Sequence, residues 1–414
     1  MRLTTLFIGQ MQTLWGVLWN DGRGWVLLAV SLGWAGTIGT RIVYPALLPE
    51  MRLEFEFGYA TAGVLVGLLW AAYGALQFPG GLLADTTSHR VALVVGTVVT
   101  ASGLVAIVFS PVFGLFVAAT VGMGAGTGLY GPSRVAVLSN VYADHESTAI
   151  GVSQAAGNVG NTVFPLLAGS LSAYVGWRAG FGYLAPLLAV VAVALWVSVP
   201  VDAARTDSSQ SVRTLLKSAW VALMTRPVYS GTGLLLLIMF VYQSLTGFLP
   251  IYLVDETGVS TVGAATLYSG FFAAAVGMQL GAGVLADRFG IQHVVAGFAA
   301  ASIPGFVLLL VADSLAATIL AVISVSCLLG CFPPAHAYTV GVVPSSVQGT
   351  GYGAIRTVYI GCGAAGPVLT GFIIDYGVRL GDGGTWCHRQ WDRSAWMAAS
   401  GSPLTGGANV HAAH

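Results

Sequence analysis

The sequence predicts an all-α, polytopic membrane protein made of two related helical bundles, and three observations carry that expectation. Hydrophobic residues make up 56% of the 414 residues and charged residues only 8%, with a mean hydropathy of +0.81. A soluble domain is roughly 25% charged because its surface faces water. This chain cannot cover such a surface, so most of its exterior must face lipid. Apolar runs near the ~20 residues that cross a hydrocarbon core as helix recur along it. The chain also repeats itself at a constant offset of 202 residues. Gly81-Leu82-Leu83-Ala84-Asp85 returns as Gly283-Val284-Leu285-Ala286-Asp287. With the same offset Gln77, Gly128, Pro132 and Thr148 meet Gln279, Gly330, Pro334 and Thr350, and Gly151, Pro165 and Gly169 meet Gly353, Pro367 and Gly371. Gap-free matches of this kind indicate a duplicated unit of about half the chain. Parallel repeats in an apolar protein are the arrangement of a transporter whose site lies between its halves.

Taken in order, residues 1–24 place Leu3, Phe7, Met11, Leu14 and Leu18 at helical spacing and read as an interfacial helix. Asp21 and Arg23 precede the first apolar run and no cleavage site follows it, so no cleavable leader is expected. The first bundle, 25–200, offers six spans at 25–48, 58–84, 91–109, 112–138, 149–175 and 180–199. A polar linker, 201–228, carries Leu215, Leu216, Ala219, Trp220, Leu223 and Met224 at helical spacing, a second interfacial helix. The second bundle, 229–375, offers five spans at 229–254, 262–286, 293–312, 315–343 and 350–374. The repeat puts a twelfth at 382–402, but Asp382, His388, Arg389, Asp392 and Arg393 stand there. Each mid-helix charge costs about 2.5–3.5 kcal/mol on insertion scales, so the tail 376–414 is expected not to span. Its abrupt change of composition reads as a truncated or frame-shifted end. The 56 glycines have a use in this setting, because small residues let helix backbones pack closely in lipid.

Basic residues set the orientation. With the N-terminus in the cytoplasm, the inner segments hold Arg2, Arg23, Arg90, Arg205, Arg213, Lys217, Arg226 and Arg288, against Arg52 and Arg178 outside. The N-terminus and central linker are therefore expected in the cytoplasm of a cell-membrane protein. Eleven spans would leave the tail, with Cys387, outside the cell.

At this point the residues carry a family resemblance. Gly81 to Arg90, Gly-Leu-Leu-Ala-Asp-Thr-Thr-Ser-His-Arg, resembles the Gly-x-Leu-Ala-Asp-Arg-x-Gly-Arg-Arg signature of the major facilitator superfamily. Gly283-Val284-Leu285-Ala286-Asp287-Arg288-Phe289-Gly290 repeats it, and Gly176-Trp177-Arg178 with Phe181 is similar to the same family. The first copy departs at Thr86, Ser88 and His89, leaving Arg90 as its basic residue. The resemblance, which covers 25–375, implies rocker-switch alternating access by two six-helix halves, the second here reduced to five. It also implies gating by Asp85, Arg90, Asp287 and Arg288, each carboxylate facing the positive end of a helix in the other half: Asp85 the eleventh span near Thr350, Asp287 the fifth near Thr148. The alternative is that both aspartates merely mark polar helix ends. Drug–proton antiporters of this family carry an Arg early in the fourth span, where Thr120 stands here, and their Gly-Pro-x-x-Gly-Gly pattern is missing around Pro165.

Ionisable groups within spans are costly and usually functional. Arg41, Arg134 and Arg356 qualify, and no Asp or Glu lies inside any of these spans. Fixed positive charge without a protein carboxylate favours an anionic solute, which guanidinium binds bidentately. Arg41, on a first span that lines the cavity in this family, and Arg356 are candidate solute ligands. Arg134, near the cytoplasmic end after Pro132, fits the gate or snorkelling better. Gln77, Gln279 and Gln243, the repeat partner of Arg41, complete the candidate binding set. Gln154, Asn158 and Asn161 at helical spacing serve either solute or helix packing, with packing favoured for Gln154 and Asn161.

Other patterns lose to packing. Gly126-Thr127-Gly128-Leu129-Tyr130-Gly131 fits a dinucleotide loop, yet no strand precedes it. Cys327, Cys331 and His336 lack the carboxylates and setting of a metal site. Nothing resembles a nucleotide-binding loop. The expectation is a non-enzymatic secondary transporter, a monomer in the lipid bilayer, moving a small solute, with an organic anion first. No cofactor, metal or nucleic-acid partner is expected. A proton or counter-ion could be coupled through His336 or the solute itself. Efflux of amphipathic compounds, or a non-transporting relic or sensor given the missing helix, are the alternatives.

Overall fold

The computed structural model describes residues 18–19, 22–201, 225–343 and 348–380. Both expected interfacial helices, the place of a twelfth span and Cys387 lie outside them, apart from Leu18 and Trp19. Among the described residues there is no strand. Ten helices are long and apolar enough to cross a membrane. The remaining expected span, the fifth, is the 30-residue helix Glu146–Val175, made more polar by Gln154, Asn158 and Asn161.

Proline explains where the helices bend, because its ring clashes with the carbonyl four residues back and removes that hydrogen bond. The second span is two helices, Tyr59–Ala75 and Gln77–Thr86, and Pro79 faces the carbonyl of Ala75. The tenth runs Leu315–Val325, tightens to a 3₁₀ stretch over Ser326–Cys331, and resumes as Phe332–Val342. Pro333 and Pro334 have no N–H to give the carbonyls of Leu329 and Gly330, and Phe332 N donates to Leu329 O instead. The eleventh, Gln348–Gly363 then Ala365–Leu380, breaks where Pro367 meets Gly363. The first span, Arg23–Phe55, outruns its expected end at residue 48 despite Pro45 and Pro49. Its last turns carry acids that find partners: Glu50 accepts from Ser172, and Glu54 accepts from Trp177 Nε1 and Arg178 Nη1, each at 2.6 Å.

The third span is His89–Val108, the fourth Phe113–Val141, and the sixth Trp177–Gly182 with Leu184–Ser198. The seventh is Arg226–Asp255, the eighth Thr261–Phe289 and the ninth Ile291–Val311. Third and fourth spans pack through glycine, as the rejected dinucleotide pattern required: a Cβ on Gly126 would lie 2.5 Å from Thr100 N. The sixth span covers the first and third. Its repeat counterpart lies outside the described residues, and the ninth span is 28% buried over its apolar window against 44% for the third.

The halves meet most extensively along two seams, second span against eleventh and fifth against eighth, and the first span also touches the seventh. At one end both seams are tight, the first against backbone and the second against a methyl group. A Cβ on Gly371 would overlap the Tyr59 carbonyl, one on Gly63 the Pro367 carbonyl, and one on Gly169 the Ala265 methyl. At the other end their repeat-related counterparts Gly151 and Gly353 have nothing described within 4 Å. Gly151 and Gly169 are 18 residues apart on one helix. That is five turns, so they share a face, about 27 Å apart. Among the described residues one helix face is closed at one end and uncovered at the other, so the Gly151/Gly353 rim is the open one.

Candidate functional site

Between the halves lies a cavity of about 410 Å³ to which Arg41, Arg134, Arg356, Gln279 and His336 all contribute. Proline places several of these groups. Pro45 frees the carbonyl of Arg41, Pro132 precedes Arg134 in the fourth span, and His336 lies in the first turn after the break in the tenth.

Aromatic faces hold the guanidiniums. Arg41, only 2% exposed, lies 3.6 Å from the Tyr73 ring centroid and 5.0 Å from that of Trp70. Arg134 lies 4.2 Å from the centroid of Trp34. Such contacts are worth about 0.5–1 kcal/mol when exposed and ~2 kcal/mol when desolvated. They orient a cation without neutralising it. Arg134 Nη1 donates to Ser153 Oγ at 3.1 Å, and its Nη2 approaches Gln154 Oε1 at 3.5 Å. Arg356 Nη2 donates to Tyr73 Oη at 3.3 Å, so Tyr73 links the first span's arginine to the eleventh's. The Nε atoms of Arg41 and Arg134 are buried without a hydrogen bond, and neither arginine makes an ion pair with a described residue. Among the described residues, no Asp or Glu lines the cavity. A site with this charge can hold an anion against uncompensated guanidinium and rest its apolar body on Tyr242, Phe272 and Phe332.

The remaining sequence candidates are distributed unevenly. Gln279, Gln154, Asn158 and Asn161 line the cavity. Gln243 is fully buried behind its wall and donates to the Ile360 carbonyl at 3.2 Å. Gln77 is 2% exposed beside Gly131, and neither of its amide atoms has a hydrogen-bond partner. Arg134, expected at the gate, lines the cavity. Among the gate candidates, Arg90 stacks 4.3 Å from the Trp196 centroid. Asp287 and Arg288 are exposed at the open rim and make no ion pair with a described residue. Asp85 falls on the helix Gln77–Thr86, and its side chain lies outside the described set.

The opposite, closed rim carries a polar clasp absent from the sequence candidates. Arg52 Nη1 pairs with Asp255 at 2.7 Å, and Tyr59 Oη donates to the same carboxylate at 2.9 Å. Asp375 accepts from Tyr59 N at 3.2 Å and Ala60 N at 2.7 Å, capping the second span from the eleventh. Also missed were the cavity aromatics Trp34, Trp70, Tyr73, Tyr242 and Tyr359. The repeat held part of the signal. Trp70 and Phe272, Arg134 and His336, and Gln154 and Arg356 each stand 202 positions apart, and all six residues line the cavity.

Comparisons with known proteins agree with this architecture. The family model of the Major Facilitator Superfamily matches residues 27–367. The fosmidomycin resistance protein of Escherichia coli is 26% identical over 341 residues, covering 80% of this chain and 82% of that protein. An uncharacterized MFS-type transporter of Bacillus subtilis is likewise 26% identical, over 80% and 82% of the two chains. Among solved structures, a bacterial homolog of the human lysosomal transporter Spinster, inward-facing and unoccupied, superposes with a TM-score of 0.72 at 19% identity. The match covers 87% of this chain and 86% of that one.

Proposed function

This chain belongs to the major facilitator superfamily and is a secondary transporter, and we propose that its solute is a small organic anion carried by rocker-switch alternating access. One observation carries the substrate class: Arg41, Arg134 and Arg356 surround a single cavity that, among the described residues, no carboxylate lines. Fixed guanidinium in a low-dielectric space is costly unless paired. An anionic solute supplies a partner for Arg41 and Arg134, which make no ion pair with a described residue. The cavity's size suits a molecule of one ring or a short chain. With the basic residues marking the cytoplasmic side, the open Gly151/Gly353 rim faces the cytoplasm. The gating role of Asp85, Arg90, Asp287 and Arg288 then belongs to the opposite, outward-open state. One chain holds the whole cavity, in keeping with a monomer.

Counterflow in proteoliposomes tests this, with benzenesulfonate and phenylphosphonate as probe anions. Arg41→Gln should abolish exchange while the protein stays folded and inserted. Arg41→Lys should recover little, because a point charge does not replace a bidentate fork. Normal exchange by the Gln variant would remove the anion assignment. The aromatic wall of Tyr242, Phe272 and Phe332, together with a relative named for drug resistance, favours a second reading, efflux of amphipathic compounds. Uncharged aromatic compounds that compete as well as the anions would select it. Absence of exchange with every probe would favour a relic or sensor.

A further inference from the structure

Arg41 and Arg134 stand at two different depths of the cavity, and the first span measures the interval. Trp34, Ile38 and Arg41 all line the cavity from that helix. Trp34 and Arg41 are seven residues apart, which puts them on one face, about two turns or ~10 Å apart along the axis. Arg134 lies at the Trp34 level, 4.2 Å from the centre of that ring. At the other level Arg41 lies 3.6 Å from the centre of the Tyr73 ring, and Tyr73 Oη accepts from Arg356 Nη2. Ile38 stands one turn from each anchor, so the first span's wall between them is apolar.

The two levels also differ in access. Arg134 donates to Ser153 on the fifth span, within a turn of Gly151 at the open rim. The first span runs from that rim toward the closed one, where Arg52 pairs with Asp255, so Arg41 is the deeper group. Both guanidiniums are buried, and both Nε atoms lack a hydrogen bond. Ser153, Gln154 and the Trp34 ring orient Arg134 but are neutral, and neither arginine makes an ion pair with a described residue. A solute with one anionic group compensates one level and leaves the other cation desolvated, which is costly. A solute with an anionic group at each end meets both.

We propose that the solute is a two-headed anion of the α,ω-dicarboxylate type, lying along the first span with one anionic group on Arg41 and the other on Arg134. The deep group sits where Arg41 and Arg356 both reach Tyr73. The outer group sits on Arg134 beside Ser153, and an apolar middle passes Ile38. This rests on the anion reading above and adds to it a second charge and a length. Two bidentate contacts at a fixed interval select for both at once, because a guanidinium fork fixes the direction of each carboxylate as well as its position.

Calorimetric binding to the full chain in detergent tests this at neutral pH, where carboxylates are ionised. Succinate, adipate and suberate are each compared with their own monomethyl ester, which keeps the length and removes one charge. For wild type, suberate should bind about tenfold tighter than its ester, the factor equivalent to ~1.4 kcal/mol. Succinate, too short to reach both levels, should gain little over its ester, and adipate should fall between. Arg134→Gln should bring suberate to the affinity of its ester, and Arg134→Lys should restore only part of the difference. Equal binding of suberate and its ester by wild type overturns the two-headed assignment. So does a preference for diacids that is as large for succinate as for suberate, or one that survives Arg134→Gln. If the esters and benzenesulfonate bind while the diacids gain nothing, the anion reading stands and this one falls. If no anion binds, both fall. Size-exclusion profiles separate misfolding of the variants from lost affinity, and the wild-type length series decides the assignment without them.

Discussion

Replacing Gly371 with alanine adds one methyl group where the eleventh span lies against the second. The built Cβ overlaps the Tyr59 carbonyl and comes within 3.1 Å of Ala60 Cα, both backbone atoms that no rotamer change can move. Overpacking of this kind costs about 1–3 kcal/mol. The cost falls only on the state in which this seam is closed. The ratio of the two mouth states should therefore shift roughly 5–150-fold toward opening at the Tyr59 rim. Gly353→Ala provides the internal control, since nothing described lies within 4 Å of its Cβ. That methyl is free in this state and costs only if the opposite rim closes. The assay is a spin-label distance across the clasp, between Leu53 and Glu256, both exposed, in a variant lacking the four cysteines. Gly371→Ala should populate a longer distance, and Gly353→Ala should keep or enrich the short one. Identical distributions for the two variants would refute the idea that one helix face is used at each end in turn.

Three further outcomes follow from the same geometry. Asp375→Asn removes a carboxylate from a helix N-terminus, a contact worth about 0.3–1 kcal/mol and up to ~2 kcal/mol when partly buried; the same spin labels should report a smaller shift than Gly371→Ala, and a larger one would place the closing energy in the clasp. Tyr73→Phe keeps the ring under Arg41 but removes the hydroxyl that accepts from Arg356, so the KM for an anion should rise while kcat changes little; intact KM would separate Arg356 from the site. Asp287→Asn, exposed at the open rim, should leave equilibrium binding in detergent unchanged and lower transport; equal loss of both would contradict a role confined to gating.

Composition, hydropathy and the 202-residue repeat made the fold legible, because lipid exposure and span length are sums over many residues. The first span's end at Phe55 was not, since Pro49 argues locally against helix and the partners of Glu50 and Glu54 come from residues 172–178. In the site, the arginines stood out because a charge inside a span has few innocent explanations. Tyr73 and Trp70 did not, because aromatic residues in apolar helices are ordinary and only the fold places them over Arg41. Gln77 and Gln279 show the limit of the repeat. They are equivalent by position, yet the former sits against Gly131 and only the latter reaches the cavity. Symmetry of sequence gives equivalent places, but the second span breaks at Leu76 just before Gln77, whereas Gln279 stands on the unbroken helix Thr261–Phe289.

The two kinds of contact at the closed rim answer to different conditions. Glycine against backbone carries no net charge, so the seam beside Tyr59 is indifferent to ionic strength. The Arg52–Asp255 pair is partly exposed, with side chains 16% and 26% accessible. Pairs of that kind contribute about 0.2–1 kcal/mol, and mobile ions screen beyond about 10 Å at 0.1 M. Salt thus loosens the clasp while leaving the seam intact. In a transporter whose mouths compete for one helix face, the ionic composition on a single side of the membrane then becomes a dial on how long that side stays shut.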